Sequence, residues 1–289
     1  MTVGDAIRLG TERLRAVGVD SPRFDAQLLL MHVLGCRRED LAREPERALT
    51  STEAAAFEGV ILRRETREPL PYILGVQEFY GRTFQVDPAV LIPRPETELL
   101  VEQALRRLAN VAKPRIVDVG VGSGCVAVTL AVERPDAQVV GTDISPAAIA
   151  VATSNARALG VDGRVDFLLG DLLTPIASGG GPFHVIVSNP PYVTEQELVG
   201  LQAEVRDFEP RLALSGQAGA SGDVGIALYP LLFAQAYPLL EPGGWVLVEV
   251  GAGQASAVVD VAIEAGFVDV EVVDDLAGIG RVVMGRRDA

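Results

Sequence analysis

Residues 116–124 decide the fold, and their sequence is IVDVGVGSG. A short β-branched run is followed by three glycines at alternate positions and then by the largely apolar residues 125–132, which predict a helix. Glycines at this point let the backbone turn tightly and approach a ligand without Cβ collisions, while the helix N-terminus presents free N–H groups. The stretch therefore predicts a strand, a ligand-binding loop and a helix.

From residue 93 onwards, short apolar or β-branched runs alternate with stretches of helical periodicity. This alternation predicts a doubly wound α/β sheet of seven strands with helices on both faces. The predicted strands are residues 116–119, 138–142, 165–169, 184–188, 245–249, 268–273 and 281–284, and the helices are 95–110, 125–132, 146–159, 224–240 and 255–265. Three glycines at 179–181 indicate a flexible surface loop.

Residues 1–68 contain no strand-like run and place apolar side chains at helical spacing. Four helices are predicted, beginning near Thr2, at Ser21, around Leu41 and at Ser51, so this part is expected to be a small helical bundle. Two extended runs, 78–80 and 83–86, follow and are separated by a Gly-Arg pair. They predict a β-hairpin inside a linker at 69–92.

The composition is that of a soluble globular protein, with 48% hydrophobic and 22% charged residues. Nearly all of the net charge of −14 belongs to residues 71–289, which hold 14 basic and 27 acidic side chains. Because nucleic-acid binding depends on neutralising phosphates, this balance argues against a DNA or RNA substrate. No apolar stretch approaches the ~20 residues that span a bilayer, and no signal segment is visible, so we expect a cytoplasmic protein.

Few side chains are available as metal ligands. Cys36 and Cys125 lie far apart in sequence, which fits neither a disulfide framework nor a metal cluster, so both are expected to be reduced packing residues. Because His32 and His184 are the only histidines, we expect no zinc site.

Three carboxylates lie at the ends of three consecutive predicted strands. Asp118 precedes the glycines, whose G-x-G-x-G spacing differs from the G-x-G-x-x-G of dinucleotide folds. An Asp at this point would repel a pyrophosphate but attract an ammonium group, which indicates the amino-acid portion of S-adenosylmethionine rather than NAD. Asp143 ends the next strand, where ribose hydroxyls would fall, and Asp171 follows the third, near the adenine amine. Each could singly be a strand-terminal cap, but three together with the loop predict a methyltransferase.

Asn189, Pro190, Pro191 and Tyr192 follow the predicted strand 184–188, at the strand end where open α/β sheets place their sites. Proline donates no N–H and biases its predecessor towards extended geometry, so the carbonyls here stay out of a helix. Acceptors beside an aromatic ring suit a planar NH₂ group, such as a carboxamide or the exocyclic amine of a base. The alternative is an ordinary Pro-Pro turn that closes a strand.

Taken together, these features resemble the HemK/PrmC family, the methyltransferases that modify the glutamine of the Gly-Gly-Gln loop in peptide chain release factors. The likeness covers nearly the whole chain, including Glu68-Pro69, residues 72–75 and residues 208–214. The stretch Leu91 to Glu98 is its most specific part, whereas Asn-Pro-Pro-Tyr is shared with amino-methylating DNA and RNA enzymes. The segment 219–225 departs from the family pattern.

The resemblance implies a class I S-adenosylmethionine-dependent methyltransferase with a Rossmann-like sheet, an N-terminal helical bundle and a β-hairpin linker. It implies a substrate-recognition domain at 1–68, the linker at 69–92 and a catalytic domain at 93–289. The product would be S-adenosylhomocysteine, the partner a release factor in translation termination, and no metal, membrane or nucleic acid is expected. Residues implied to hold the cofactor are Asp118, Gly120, Val121, Gly122, Ser123, Gly124, Asp143, Asp171, Leu172 and Asn189, and Asn189, Pro190, Pro191 and Tyr192 would hold the glutamine amide.

Two other functions use the same features. A DNA adenine or RNA guanine amine methyltransferase would present the tetrapeptide to a flipped base, and it predicts basic surface near the site. A non-catalytic binding module would keep the fold as a scaffold, but the intact glycine loop and tetrapeptide argue against it.

Overall fold

The computed structural model describes residues 1–176, 180–215 and 225–289. Within them the chain divides into two compact units, Met1–Val76 with Gln202–Phe208, and Gln77–Leu201 with Glu209–Ala289. Three features predicted from the sequence lie partly outside the described residues: the glycine loop at 179–181, the segment 219–225 and the start of the helix expected at 224.

Helices and strands follow one another much as the periodicity predicts. The helices are α1 (Val3–Ala16), α2 (Pro22–Leu34), α3 (Arg38–Arg43), α4 (Ser51–Glu65), α5 (Leu70–Leu74), α6 (Glu98–Arg107), α7 (Cys125–Glu133), α8 (Pro146–Ala158), α9 (Glu195–Leu198), α10 (Ala203–Phe208), α11 (Arg211–Ser215), α12 (Leu228–Leu239) and α13 (Ala255–Glu264). The strands are β1 (Val76–Phe79), β2 (Arg82–Gln85), β3 (Arg115–Val119), β4 (Gln138–Asp143), β5 (Val165–Leu169), β6 (Phe183–Ser188), β7 (Leu240–Glu249), β8 (Val268–Asp274) and β9 (Gly280–Arg286). A 3₁₀ turn, Pro95–Thr97, precedes α6.

The first unit is a helical bundle whose helix ends follow local sequence signals. Thr2 caps α1 in a capping box with Asp5, and Gly35 ends α2 in the left-handed conformation that glycine favours. Thr50, one residue earlier than the predicted Ser51, caps α4. The helices bury one apolar cluster, which includes Ala6, Leu14, Ala26, Leu29, Leu30, Phe57 and Ile61.

Helix α10 belongs to this unit although it is distant in sequence. Glu204 of α10 accepts two hydrogen bonds of 2.7 Å from Arg67 and one of 3.1 Å from Arg64. Arg64 is buried and also donates to Asp25 at 2.8 Å. Removing one member would leave a buried charge without its partner, so this ion-pair cluster fixes where α10 packs.

The second unit contains the seven-stranded sheet that the sequence predicts, in the order β5-β4-β3-β6-β7-β9-β8. Strands β3 to β7 pair in parallel, whereas β9 runs antiparallel to both β7 and β8. The chain moves outward from β3 in one direction and returns to β6 on its other side. A topological switch point therefore lies between β3 and β6, where open α/β sheets bind ligands.

Alternate residues of the central strands bury the two faces of the sheet. Ile116 packs into the apolar cluster that includes residues of α6 and α7, while Val117 packs into the one that includes residues of α12 and α13. Strand register places Val119 opposite both Thr142 and Ser188. The carboxyl ends of β3, β4 and β6 consequently meet at one edge.

Strands β1 and β2 form a separate two-stranded sheet. Their turn is Tyr80-Gly81, both with positive φ, one residue earlier than the predicted Gly81-Arg82. Two consecutive positive φ values are typical of the type I′ turn that tight hairpins prefer. In the described part of the chain, no helix combines the length and the apolar character that crossing a membrane requires.

Candidate active site

A pocket of about 300 Å³ opens at the carboxyl ends of β3, β4 and β6. Gly124 and Tyr192 lie outside its lining, although the sequence places both in the site. A methyl group on Gly124 would lie 3.0 Å from the Cβ of Ala152, so this glycine permits close packing of α7 on α8. The predicted residues that line the pocket are Asp118, Gly120, Val121, Gly122, Ser123, Asp143, Asp171, Leu172, Asn189, Pro190 and Pro191.

Backbone hydrogen bonds fix the glycine loop against β4. Gly120 and Val121 both donate to the Thr142 carbonyl, at 2.8 and 3.0 Å. Gly120 and Gly122 have φ values of 77° and 52°, which a residue with a Cβ rarely adopts. The loop is therefore a rigid backbone cradle at the floor of the pocket.

Asp118 is buried at the end of β3. Its Oδ2 accepts a 2.9 Å hydrogen bond from the backbone N–H of Ala127, in the first turn of α7. Burial raises the pKa of this carboxyl to about 7, and the hydrogen bond from Ala127 opposes the rise. One oxygen therefore accepts a hydrogen bond from α7. A cation that approaches the carboxyl would favour its ionised form.

Asp143 ends β4 and holds two loops at once. One oxygen accepts from Gly122 N at 3.0 Å and the other from Ser145 N at 2.8 Å. Each carboxylate oxygen has a second lone pair for a ligand hydroxyl. Asp171 and Leu172 lie at the pocket wall after β5, where Leu172 has a positive φ of 46°.

The tetrapeptide after β6 is anchored through its side chains. Asn189 donates from Nδ2 to Thr97 Oγ1 at 3.1 Å. The Tyr192 hydroxyl donates to Glu249 Oε1 at 3.5 Å, while its carbonyl accepts from Gln254 at 3.0 Å. Ser188 Oγ, just before the tetrapeptide, donates to the Val119 carbonyl at 2.7 Å. The strand end is thus tied to β3, β7 and the turn before α13.

Glu249, at the end of β7, is an acid that the sequence did not single out. It is only 2% exposed, and burial raises its pKa to about 7. The Thr97 hydroxyl lowers that pKa, so Thr97 faces Glu249 as well as Asn189. Thr97 lies inside the motif Leu91 to Glu98 and Glu249 ends a predicted strand, but nothing in the sequence indicates that they meet.

Glu209 joins the two motifs that carry the family resemblance. Its carboxylate is buried and accepts from Ile92 N at 3.1 Å and from the Arg94 guanidinium. Burial raises the pKa of Glu209, and Arg94 opposes that shift. Glu209 therefore holds Arg94 close to the chain that continues into Pro210, and both Arg94 and Pro210 line the pocket.

Possible metal ligands and the thiol near the glycine loop can be located in the described residues. No group of three or more His, Cys, Asp or Glu side chains there could hold a metal ion. Burial raises the pKa of the Cys125 thiol to about 12, so it stays protonated and unreactive at neutral pH.

The donor set fits S-adenosylmethionine. Carboxyls at the ends of β3 and β4 suit an ammonium group and two ribose hydroxyls, and the loop glycines leave room for close backbone approach. The buried Ser123 hydroxyl has no hydrogen-bond partner within the described part of the chain, which leaves a polar contact for a ligand. The fold and this pocket define a class I S-adenosylmethionine-dependent methyltransferase.

Comparison with known proteins gives the family. A model of the PrmC N-terminal domain matches residues 5–75, and a model of the methyltransferase small domain matches residues 95–209. Proteins named release factor glutamine methyltransferase are 45% identical in Koribacter versatilis, over 99% of both chains, and 46% identical in Geobacter sulfurreducens, over 93% of this chain and 91% of that one. The chain belongs to the release factor glutamine methyltransferase family.

A solved structure shares the fold more distantly. The 16S rRNA N2 G1207 methyltransferase of T. thermophilus, in complex with AdoMet and guanosine, is 20% identical, with a TM-score of 0.52 over 73% of this chain and 49% of that one. Because the closer family relationship is to release factor enzymes, the nucleic-acid alternative is not favoured.

Proposed function

We propose that this protein transfers a methyl group from S-adenosylmethionine to the side-chain amide nitrogen of the glutamine in the Gly-Gly-Gln motif of peptide chain release factors. The observation that carries the proposal is the placement of Asn189 in the cofactor pocket, with its Nδ2 directed at Thr97. That contact leaves Oδ1 as an acceptor for a substrate N–H. The names of the relatives support the same substrate.

In the proposed mechanism, Asn189 Oδ1 and the Pro190 carbonyl accept the two N–H bonds of the glutamine amide. Electron density then rises on a nitrogen whose lone pair is otherwise delocalised, and that lone pair is aimed along the line of displacement. Tyr192, held at its hydroxyl and its carbonyl, would pack against the amide plane together with Pro191. When bound, the cofactor would supply a methyl group activated by a positively charged sulfur. As the N–CH₃ bond forms, the S–CH₃ bond would break to leave S-adenosylhomocysteine, and the amide nitrogen would lose one proton to solvent.

The remaining predicted residues are proposed to hold the cofactor. Asp118 would face the ammonium group and Asp143 the ribose hydroxyls. Asp171 and Leu172 would flank the adenine. The backbone of residues 120–124 would bend around the amino-acid portion.

Cofactor affinity should depend on pH through Asp118. Because its pKa is raised to about 7, the carboxyl loses its charge as pH falls through 7, and attraction for the ammonium group is lost with it. An α-amino group itself deprotonates near pH 8, so affinity is expected to peak between about 7 and 8. Calorimetric titrations from pH 6 to 8 measure this. Asp118→Asn keeps the acceptor for Ala127 but carries no charge, so the affinity for the cofactor should no longer fall as pH drops below 7. An unchanged dependence of affinity on pH would contradict the role of Asp118.

The helical domain, residues 1–68, is proposed to recognise the body of the release factor, with 69–92 as linker and 93–289 as the catalytic domain. Its support is a groove of about 680 Å³ between α1, α2 and α3. Arg15, Arg23 and Arg38 line it and form no ion pair with a described residue, whereas Arg8 pairs with Glu12. Uncompensated positive charge in a chain of net charge −14 suits an acidic protein surface.

Reversing groove charges should weaken recognition of the intact protein. For Arg15→Glu combined with Arg23→Glu, KM for the release factor is expected to rise by about tenfold or more, since interface residues that matter cost over ~1 kcal/mol each. Turnover of a Gly-Gly-Gln peptide should not change. Arg157→Glu, an exposed reversal on α8, is the matched control. Equal KM values for variant and wild type would show that the groove plays no part in recognition of the release factor.

The substrate class is tested by offering release factor, duplex DNA and rRNA separately with labelled S-adenosylmethionine. Label is expected in the release factor alone. Label in either nucleic acid, with none in the protein, would favour the alternative of base methylation.

A further inference from the structure

The direction of the Asn189 amide decides whether the site can work. An amide has a donor end and an acceptor end, and only Oδ1 can meet a substrate N–H. The neighbour of Asn189 is the hydroxyl of Thr97, at 3.1 Å from Nδ2. A hydroxyl both donates and accepts, so Thr97 by itself would tolerate either direction of the amide. The direction therefore depends on which acceptor takes the hydrogen bond that the Thr97 hydroxyl donates.

Glu249 provides that acceptor. Its carboxylate faces Thr97 and is almost fully buried. Oε1 accepts from Tyr192, while Oε2 is buried and has no hydrogen-bond partner among the described residues. An ionised carboxylate can only accept. If it accepts the hydrogen bond from the Thr97 hydroxyl, Thr97 can only accept from Asn189. Nδ2, the donor end of the amide, must then face Thr97.

We propose that Thr97 and Glu249 are positioning residues that fix the direction of the Asn189 amide, so that Oδ1 and not Nδ2 meets the glutamine. The inference rests on the function proposed above for Asn189. Neither residue touches the reacting atoms. Without the Thr97 hydroxyl the Asn189 amide is free to turn. A turned amide places its Nδ2–H groups against the N–H groups of the glutamine amide, and no hydrogen bond can form.

The ionisation of Glu249 sets this direction. With a pKa raised to about 7, Glu249 becomes protonated as pH falls through 7 and can then donate to Thr97. Thr97 would next donate to Asn189 and draw Oδ1 away from the substrate, so turnover is lost on the acid side. The titratable groups that face Glu249 are Arg281 and Glu96, with opposite effects on its pKa, and Tyr192, Tyr229 and Cys125.

The first test uses three substitutions in the full-length enzyme with intact release factor as substrate. Thr97→Val keeps the shape and removes the hydroxyl, and kcat should fall roughly 100-fold, as expected for misplaced catalytic groups, with cofactor affinity unchanged. Thr97→Ser restores the hydroxyl and should recover most of the turnover. Thr129→Val is the matched control, because the Thr129 hydroxyl is buried in α7 and no residue that the structure describes forms a hydrogen bond with it.

The second test reads the direction of the amide. A Gly-Gly-Glu peptide carries a carboxylate, which only accepts and therefore suits a turned Asn189. It should inhibit Thr97→Val at concentrations that leave the wild type unaffected. In Glu249→Gln, the acid-side loss of kcat near pH 7 should disappear.

Three results would overturn the inference: wild-type turnover in Thr97→Val, equal inhibition of both enzymes by the Gly-Gly-Glu peptide, or a wild-type pH profile in Glu249→Gln. Asn189→Ala distinguishes failure of the positioning role from failure of the proposed function. Should Asn189→Ala be inactive while Thr97→Val is fully active, the positioning role fails and the proposed function stands. Full turnover in Asn189→Ala would remove the basis of both.

Discussion

Asn189→Ala should reduce methyl transfer by about 10² to 10³-fold in kcat, while the affinity for S-adenosylmethionine stays near that of the wild type. The substitution removes an acceptor used on the glutamine amide in the transition state, and loss of one such preorganised hydrogen-bonding group costs on the order of 3 kcal/mol. Cofactor affinity should persist because the loop is held by Thr142 and Asp143, independently of Asn189. Single-turnover kinetics with saturating release factor and cofactor measure the effect.

The matched control is Asn110→Ala, which removes the same group from an exposed position after α6. Wild-type kcat is expected there. Undiminished turnover in Asn189→Ala would show that the amide nitrogen is oriented by other groups, and a parallel loss of cofactor binding would show that Asn189 supports the pocket rather than the reaction.

Asp143→Ala should have its largest effect on the cofactor. This carboxylate accepts from Gly122 and Ser145 and is proposed to accept from the ribose hydroxyls as well. Hydrogen bonds to a charged acceptor contribute about 1.5 to 3 kcal/mol, so the Kd for S-adenosylmethionine should rise by roughly 10 to 100-fold. Calorimetry measures Kd, and kcat at saturating cofactor should fall much less.

Asp166→Ala, an exposed carboxylate on the neighbouring strand β5, is the control for charge alone. Its Kd should match the wild type. If Asp143→Ala binds the cofactor with unaltered affinity, the ribose lies elsewhere. Thermal unfolding of both variants separates a loss of contacts to the ligand from a loss of folded protein.

Local signals made much of the fold predictable. The bounds of β5 match the predicted strand 165–169, a mainly apolar run that Gly170 ends, and α7 follows from its apolar run after the glycine loop. The beginning of β7 did not follow, because Pro242, Gly243 and Gly244 indicate a turn, whereas the strand continues through them with a register shift against β6. Tertiary pairing overrode local preference there.

Helix α5 was missed for a related reason. Pro69 and Pro71 favour an end to helical structure, yet Pro71 lies in the first turn of α5, where the absence of an N–H costs nothing. The grouping of α10 with the helical bundle was equally hidden. It depends on Glu204 meeting Arg64 and Arg67 across more than 130 residues, and no periodicity encodes such a contact.

In the candidate site, too, residues at strand ends were predictable from the sequence, and contacts between distant elements were not. Asp143 and Asn189 could be placed because each follows a predicted strand, and parallel strands end at one edge of the sheet. Thr97 and Glu249 could not be connected to them, since the contact between Thr97 and Asn189 spans 92 residues. Side chains that orient a site from distant elements leave no local pattern in the sequence.

The central claim is that the methyl group reaches a glutamine amide of a release factor. The direct measurement is mass spectrometry of peptides from purified release factor after incubation with this protein and S-adenosylmethionine, with fragmentation to locate the modified residue. A single methyl group is expected on the side-chain nitrogen of the glutamine in Gly-Gly-Gln. A methyl group on any other residue, or an unmodified release factor when the protein demonstrably binds the cofactor, would contradict it.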